Sequence, residues 1–159
     1  MSLRLIFISC LLIHCFFTAA AAQDNSVIRR YSDDGFLKRF DTNIILKGDT
    51  VHIDKLVRWL DEILLVPKGF HTLQMIADSS NELVIEHSDF ARVSAGRTRS
   101  AMTMNLINGV GESVHILFDA SMGDMGTHMV YNAKNKLIEY TAIQNLYHEL
   151  AHAMHMMNG

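Results

Sequence analysis

The segment His148-Glu149-Leu150-Ala151-His152 has the residue types and the spacing for metal-assisted hydrolysis. Two histidines four apart on an α-helix lie on one face, one turn apart, so both imidazoles can reach a single Zn²⁺. Zinc held in this way polarises a carbonyl and lowers the pKa of its bound water. The glutamate between the histidines can take that water's proton as general base. His148 and His152 are therefore the candidate metal ligands, Glu149 the candidate catalytic residue, and Zn²⁺ the expected cofactor.

Such a group works only if a helix carries it. At about 100° per residue, His148, His152 and His155 fall within an arc of roughly 60°. Ile143, Leu146, Tyr147, Leu150, Met154 and Met157 gather on the opposite side. One face would anchor the helix in a core and the other would look into a cleft. Five-residue matches also arise by chance on amphipathic core helices. Here the small Ala151 sits inside the motif and no proline interrupts the pattern. The final helix is expected from about Asn135 or Leu137 to Asn158, with Gly159 where a glycine commonly ends a helix.

The remaining sequence must supply a scaffold. The chain has 159 residues, of which 49% are hydrophobic and 19% charged, enough for one domain with a packed core. Its first 22 residues read as a secretory signal peptide: Arg4, the apolar run Leu5 to Phe17, then Ala20-Ala21-Ala22 before a cleavage point at Gln23. That run is short for a span of about 20 residues, so no stable membrane association is expected after cleavage. Cys10 and Cys15 both lie inside it, leaving a secreted mature chain without disulfides. Loss of Arg4 leaves 13 basic and 17 acidic residues, a net −4. No long basic stretch remains, so the sequence makes no case for nucleic acid or an anionic membrane as partner.

Taken in order, residues 23–47 read as a polar N-terminal arm with a short strand near Asn43 to Leu46. Asp49 or Thr50 can cap a helix in which Ile53, Leu56, Val57, Leu60, Ile63 and Leu64 recur at helical spacing, with Trp59 in the core. Pro67 stops that helix, and Phe70 to Ala77 forms a second. His52 and His71 stand isolated. Leu83-Val84-Ile85 is a strand, Met102 to Ile107 another, and Val114 to Phe118 an interior strand. The last two are expected to pair as a hairpin across Asn108-Gly109-Val110-Gly111, which lacks the GK[ST] ending of a phosphate loop. Ser121 to Tyr131 reads as a loop rich in glycine and methionine.

These pieces, in this order, resemble the NleD-like family of bacterial effector zinc metallopeptidases. The resemblance runs over residues 48–159. It rests on Leu64-Leu65-Val66-Pro67-Lys68-Gly69, Thr72 to Ile76, Leu83 to Glu86, the Asn108 to Gly111 turn leading into Val114 to Asp119, and Tyr147 to Ala153 with Asn158-Gly159 after it. It implies an α+β, zincin-like domain, a small mixed sheet packed on helices with a C-terminal HExxH helix. It also implies cleavage of peptide bonds in proteins, so the partner is a protein or peptide substrate. The match departs from the family in two ways. A signal peptide is not needed by members that an injection system delivers. Catalytic zinc also needs a third protein ligand, and zincins usually supply it downstream, where this chain holds only His155. Upstream His115, Asp119 or His128 are the other candidates. The expectation is a domain truncated at its C-terminus, with weakly held zinc and with Met154, Met156 and Met157 partly exposed. Its alternative function is a catalytically incomplete zinc-binding or interaction module derived from a peptidase.

Overall fold

The computed structural model describes residues 26–31, 43–89, 96–100, 109–125 and 128–159. Strand β1 (Val27–Arg30) is followed by β2 (Ile44–Gly48), helices α1 (Thr50–Leu64) and α2 (Pro67–Ala77), and strands β3 (Leu83–His87), β4 (Gly96–Ser100) and β5 (Val114–Phe118). A hairpin of β6 (His128–Tyr131) and β7 (Leu137–Tyr140) then leads into helix α3 (Ala142–Asn158). Five strands form one sheet in the order β1-β2-β3-β5-β4. The centre is parallel, β2 with β3 and β3 with β5, and both edge strands run antiparallel to their neighbours. The fold is thus α+β with a mixed sheet and, among the described residues, three helices. None of these helices is long and apolar enough to cross a membrane.

Helix α1 forms where the sequence caps it. The Asp49 carboxylate accepts from the backbone N–H of His52, satisfying a donor that the first turn leaves free. Ile53, Leu56, Trp59, Leu60 and Ile63 then face inward and are buried. At about 1.5–3 kcal/mol for each fully buried large side chain, this stripe is what holds the helix to the sheet. The Trp59 indole keeps its N–H satisfied by donating to Asp124, 2.9 Å away. Arg58 forks onto the same carboxylate. These donors hold Asp124 down to about 2, chiefly through Arg58, and tie the segment after β5 to α1.

On the sheet, alternation decides the faces. Ile44, Leu46, Leu83, Ile85, Val114, Ile116 and Phe118 point to the helices and are buried, while the residues between them are half-exposed. Helix α3 lies on β4 and β5 and α1 on β2, while α2 packs against α1 and α3.

Several expectations need correction. The strand near Asn43 to Leu46 is present as β2, but it lies inside the sheet between β1 and β3 and is no part of a surface arm. Pro67 does not merely stop α1; it opens α2 at its first turn, where the missing N–H costs nothing. The last helix does not begin near Leu137. Leu137–Tyr140 is a strand paired with His128–Tyr131, a segment expected to be loop. The Asn132 side chain accepts from the N–H groups of Lys134 and Lys136, and Asn135 takes a positive φ of 56°, so the chain reverses there. Helix α3 starts only after Thr141, which shares a reciprocal capping box with Gln144. The strand antiparallel to β5 is Gly96–Ser100; Met102 to Ile107 lies outside the described residues, as do residues 1–22 and both cysteines.

The far end of α3 departs from expectation at Met157, while Met154 and Met156 are partly exposed as expected. Met157 is buried at 2% exposure, and Met154 and Met156 are half-buried against the core. The Glu112 N–H donates to the Met156 carbonyl. Ser79 and Asn81 side chains donate to that of Met157. Gly111 passes so close that a Cβ there would lie 1.8 Å from the Met157 oxygen.

Candidate metal and catalytic site

Helix α3 brings His148 and His152 together as the spacing requires. Their Nε2 atoms are 3.1 Å apart, and the rings stand perpendicular with centroids 4.6 Å apart. Both side chains are exposed. Two imidazole nitrogens on a tetrahedral zinc, each about 2.0–2.1 Å from the metal, lie about 3.4 Å from one another. The pair therefore fits two positions of a zinc site to within a few tenths of an ångström. Without metal, the same distance lets one imidazole donate its Nε2 proton to the other.

Glu149 leaves the histidine face. Its side chain is buried between α3 and the edge strand β4. There the Thr98 hydroxyl donates to the carboxylate and also lies 3.3 Å from the Glu149 carbonyl oxygen. The fit depends on Gly96: a Cβ at that position would come within 2.7 Å of Glu149 Cγ and 3.0 Å of Phe118. Tyr140, the last residue of β7, is a further member. Burial and then the charge of Glu149 push its phenol above its usual range, which makes it a neighbour that stays protonated across the physiological range.

Of the third-ligand candidates, His155, His115 and Asp119 do not complete the pair. His155 is exposed in the last turn of α3. His115 points out of the sheet on the side away from α3, where its Nε2 is 3.0 Å from Glu86. Asp119 is buried, its carboxylate accepting from the backbone and hydroxyl of Ser121. His128 opens β6, and its side chain is outside the described part. Among the described residues, no group of three or more His, Cys, Asp or Glu side chains is arranged to hold a metal ion.

Sequence reasoning missed Thr98, Gly96 and Tyr140. Thr98 and Gly96 sit on a strand, Gly-Arg-Thr-Arg-Ser, without a single apolar residue to announce it. Tyr140 had been assigned to the helix itself. The chain matches no protein-family model, no curated protein and no solved structure.

Proposed function

We propose that this protein is a secreted zinc endopeptidase with a zincin-like domain, in which His148 and His152 hold the metal and Glu149 acts on the water. The observation that carries the reading is the convergence of two Nε2 atoms at ligand spacing on the helix that also carries a carboxylate. When bound, zinc would supply Lewis acidity and an acidified water. The chain's own contributions are distinct. The histidines must be neutral to ligate. Glu149, oriented by Thr98 and left room by Gly96, is the base. A protein or peptide is the substrate that the family resemblance implies for such a site.

A second reading has its own support. Two ligands without a third among the described residues, and a carboxylate engaged by a hydroxyl, suit a peptidase-derived module that binds zinc loosely and does not turn over. One experiment separates the two. The full chain is loaded with zinc and given an unfolded test protein, in parallel with Glu149→Gln. The enzyme reading requires cleavage by the parent and a loss of about 10²–10⁴-fold in the variant, with zinc still bound. Absence of cleavage by the zinc-loaded parent favours the module; equal cleavage by both proteins removes Glu149 from the chemistry.

A further inference from the structure

The sheet has a second face, turned away from α1 and α3, and its composition is unusual. The register lays out two complete cross-strand rows there. One reads Arg30, Ile45, Val84, His115, Arg99 from β1 to β4; the next reads Ile28, Lys47, Glu86, Leu117, Arg97. The neighbouring Arg29 confirms the alternation, since it turns the other way and pairs with Asp54 of α1 at 2.8 Å. Ile45, Val84 and Leu117 are half-exposed, Ile28 is 67% exposed, and Arg30, Arg97 and Arg99 are exposed.

Four cations thus share this face with two carboxylates, Glu86, 3.0 Å from His115 Nε2, and the exposed Glu82 at one end of β3. Among the described residues, Arg30, Lys47, Arg97 and Arg99 have no carboxylate partner. A shallow depression of about 260 Å³ opens between Lys47, Glu82, Val84, Arg99 and His115. The whole chain carries a net charge of −3, so this face has the opposite sign to the molecule. The three arginines sit on the border strands β1 and β4, and Ile45, Val84 and Leu117 lie between them, with Lys47 on β2 and Ile28 at the β1 edge. Four inter-strand steps of about 4.8 Å put roughly 19 Å between the arginines of β1 and β4.

We propose that this face docks an acidic, amphipathic segment of a partner protein. Its apolar side would cover Ile45, Val84 and Leu117, and carboxylates near its two ends would meet Arg30 on one border and Arg97 and Arg99 on the other. A helix spanning that width needs acidic residues about 13 positions apart. Arginine at both borders suits this role, because its planar fork pairs carboxylates in bidentate fashion. A nucleic acid fits poorly: its closely spaced phosphates would lie over aliphatic side chains and over Glu86. The inference is independent of any chemistry at Glu149.

The test uses the full chain and a fluorescein-labelled synthetic helical peptide of about 16 residues, with leucines along one face and glutamates near both ends. Its partner probe carries glutamine in place of every glutamate. Fluorescence anisotropy should show the glutamate peptide binding at least about 10-fold more tightly than the glutamine peptide. Arg97→Glu with Arg99→Glu should weaken it by about 10-fold or more, and added salt should weaken it as well. Both side chains are exposed, and a milder Arg97→Gln, Arg99→Gln pair with an unchanged circular dichroism spectrum guards against a folding artefact. Equal binding of the two peptides, indifference to both double variants, or tighter binding of a single-stranded RNA or of phosphatidylserine vesicles would each overturn the proposal.

Discussion

Two histidine pairs in this molecule look alike in composition and differ in construction. His148 and His152 share one helix, one turn apart, with perpendicular rings and Nε2 atoms meeting at 3.1 Å. His52 and His87 come from α1 and β3 and stack, with centroids 3.6 Å apart and planes 22° from parallel. Lone pairs lie in the ring plane, so a stacked pair cannot aim two of them at one point between the rings. The perpendicular pair can. The stacked pair spends its nitrogens on the fold instead. His52 Nδ1 is 2.9 Å from the Asp49 carboxylate that caps α1, and His87 Nδ1 accepts from the Ala120 N–H at 3.2 Å. Thus one pair is arranged to receive an ion, and the other joins the start of α1 to the end of β3.

The sharpest way to break this distinction is a zinc titration against a chromophoric chelator. Replacing His148 or His152 by alanine should lower zinc affinity by at least about 100-fold, more than the 10–100-fold typical of losing a supporting partner. His52→Ala and His87→Ala should leave it essentially unchanged. A comparable loss from either of the latter would move the metal site.

A smaller effect comes from the glycine against which each pair or its companion rests. Gly96→Ala should press on Glu149 and leave the two histidines in place. The expected result is retained zinc binding with a fall in kcat approaching 10²-fold, the cost of misplacing a reacting group by about 1 Å. Gly48 has φ +154°, and a Cβ there would lie 3.1 Å from His87 Cβ. Gly48→Ala should cost about 1–3 kcal/mol in chemical denaturation with no effect on zinc. If Gly48→Ala lowers zinc affinity and Gly96→Ala leaves turnover intact, the assignment of the two regions is reversed.

The mildest expected effect is on pH dependence. Burial first, then the neighbouring His52, lowers the pKa of His87, against the opposing pull of Asp89, Asp119 and Asp49. Its folded pKa lies below the unfolded value of about 6.5, so the unfolded chain binds more protons between the two. Stability contributed by His87 is therefore complete above about pH 6.5 and is lost as pH falls toward the folded value. Denaturation midpoints should drop across that acidic window, and His87→Gln should flatten the drop. A wild-type midpoint that rises on acidification would contradict the stacked, neutral arrangement.

The contrast between the pairs also marks what a reader of the sequence can and cannot see. Local period and capping were visible: Asp49 before the apolar stripe of α1, the aliphatic runs of β3 and β5, and the four-residue spacing of His148 and His152. Contacts between distant segments were not. His52 and His87 are separated by 35 positions in the sequence and meet only because β2 and β3 lie side by side. Gly96–Ser100 is a strand because β5 pairs with it, since a polar edge strand carries little signal of its own. Leu137 to Tyr140 suits a helix as well as a strand until Asn135 reverses the chain. The basic rows of the open sheet face are equally hidden, because Arg30, Lys47, Arg97 and Arg99 are scattered along the chain and gathered only by register.

Helix α3 is fastened at both ends. Thr141 and Gln144 lock its first turn, and the backbone of Glu112 together with Ser79 and Asn81 grips the carbonyls of its last. A rod clamped in this way cannot screw about its axis or slide along it, so the helix face and the one-turn offset that carry His148 and His152 are fixed by the fold. Zinc bound here as proposed would leave ligation and folding uncoupled, unlike in small domains that collapse only around their metal.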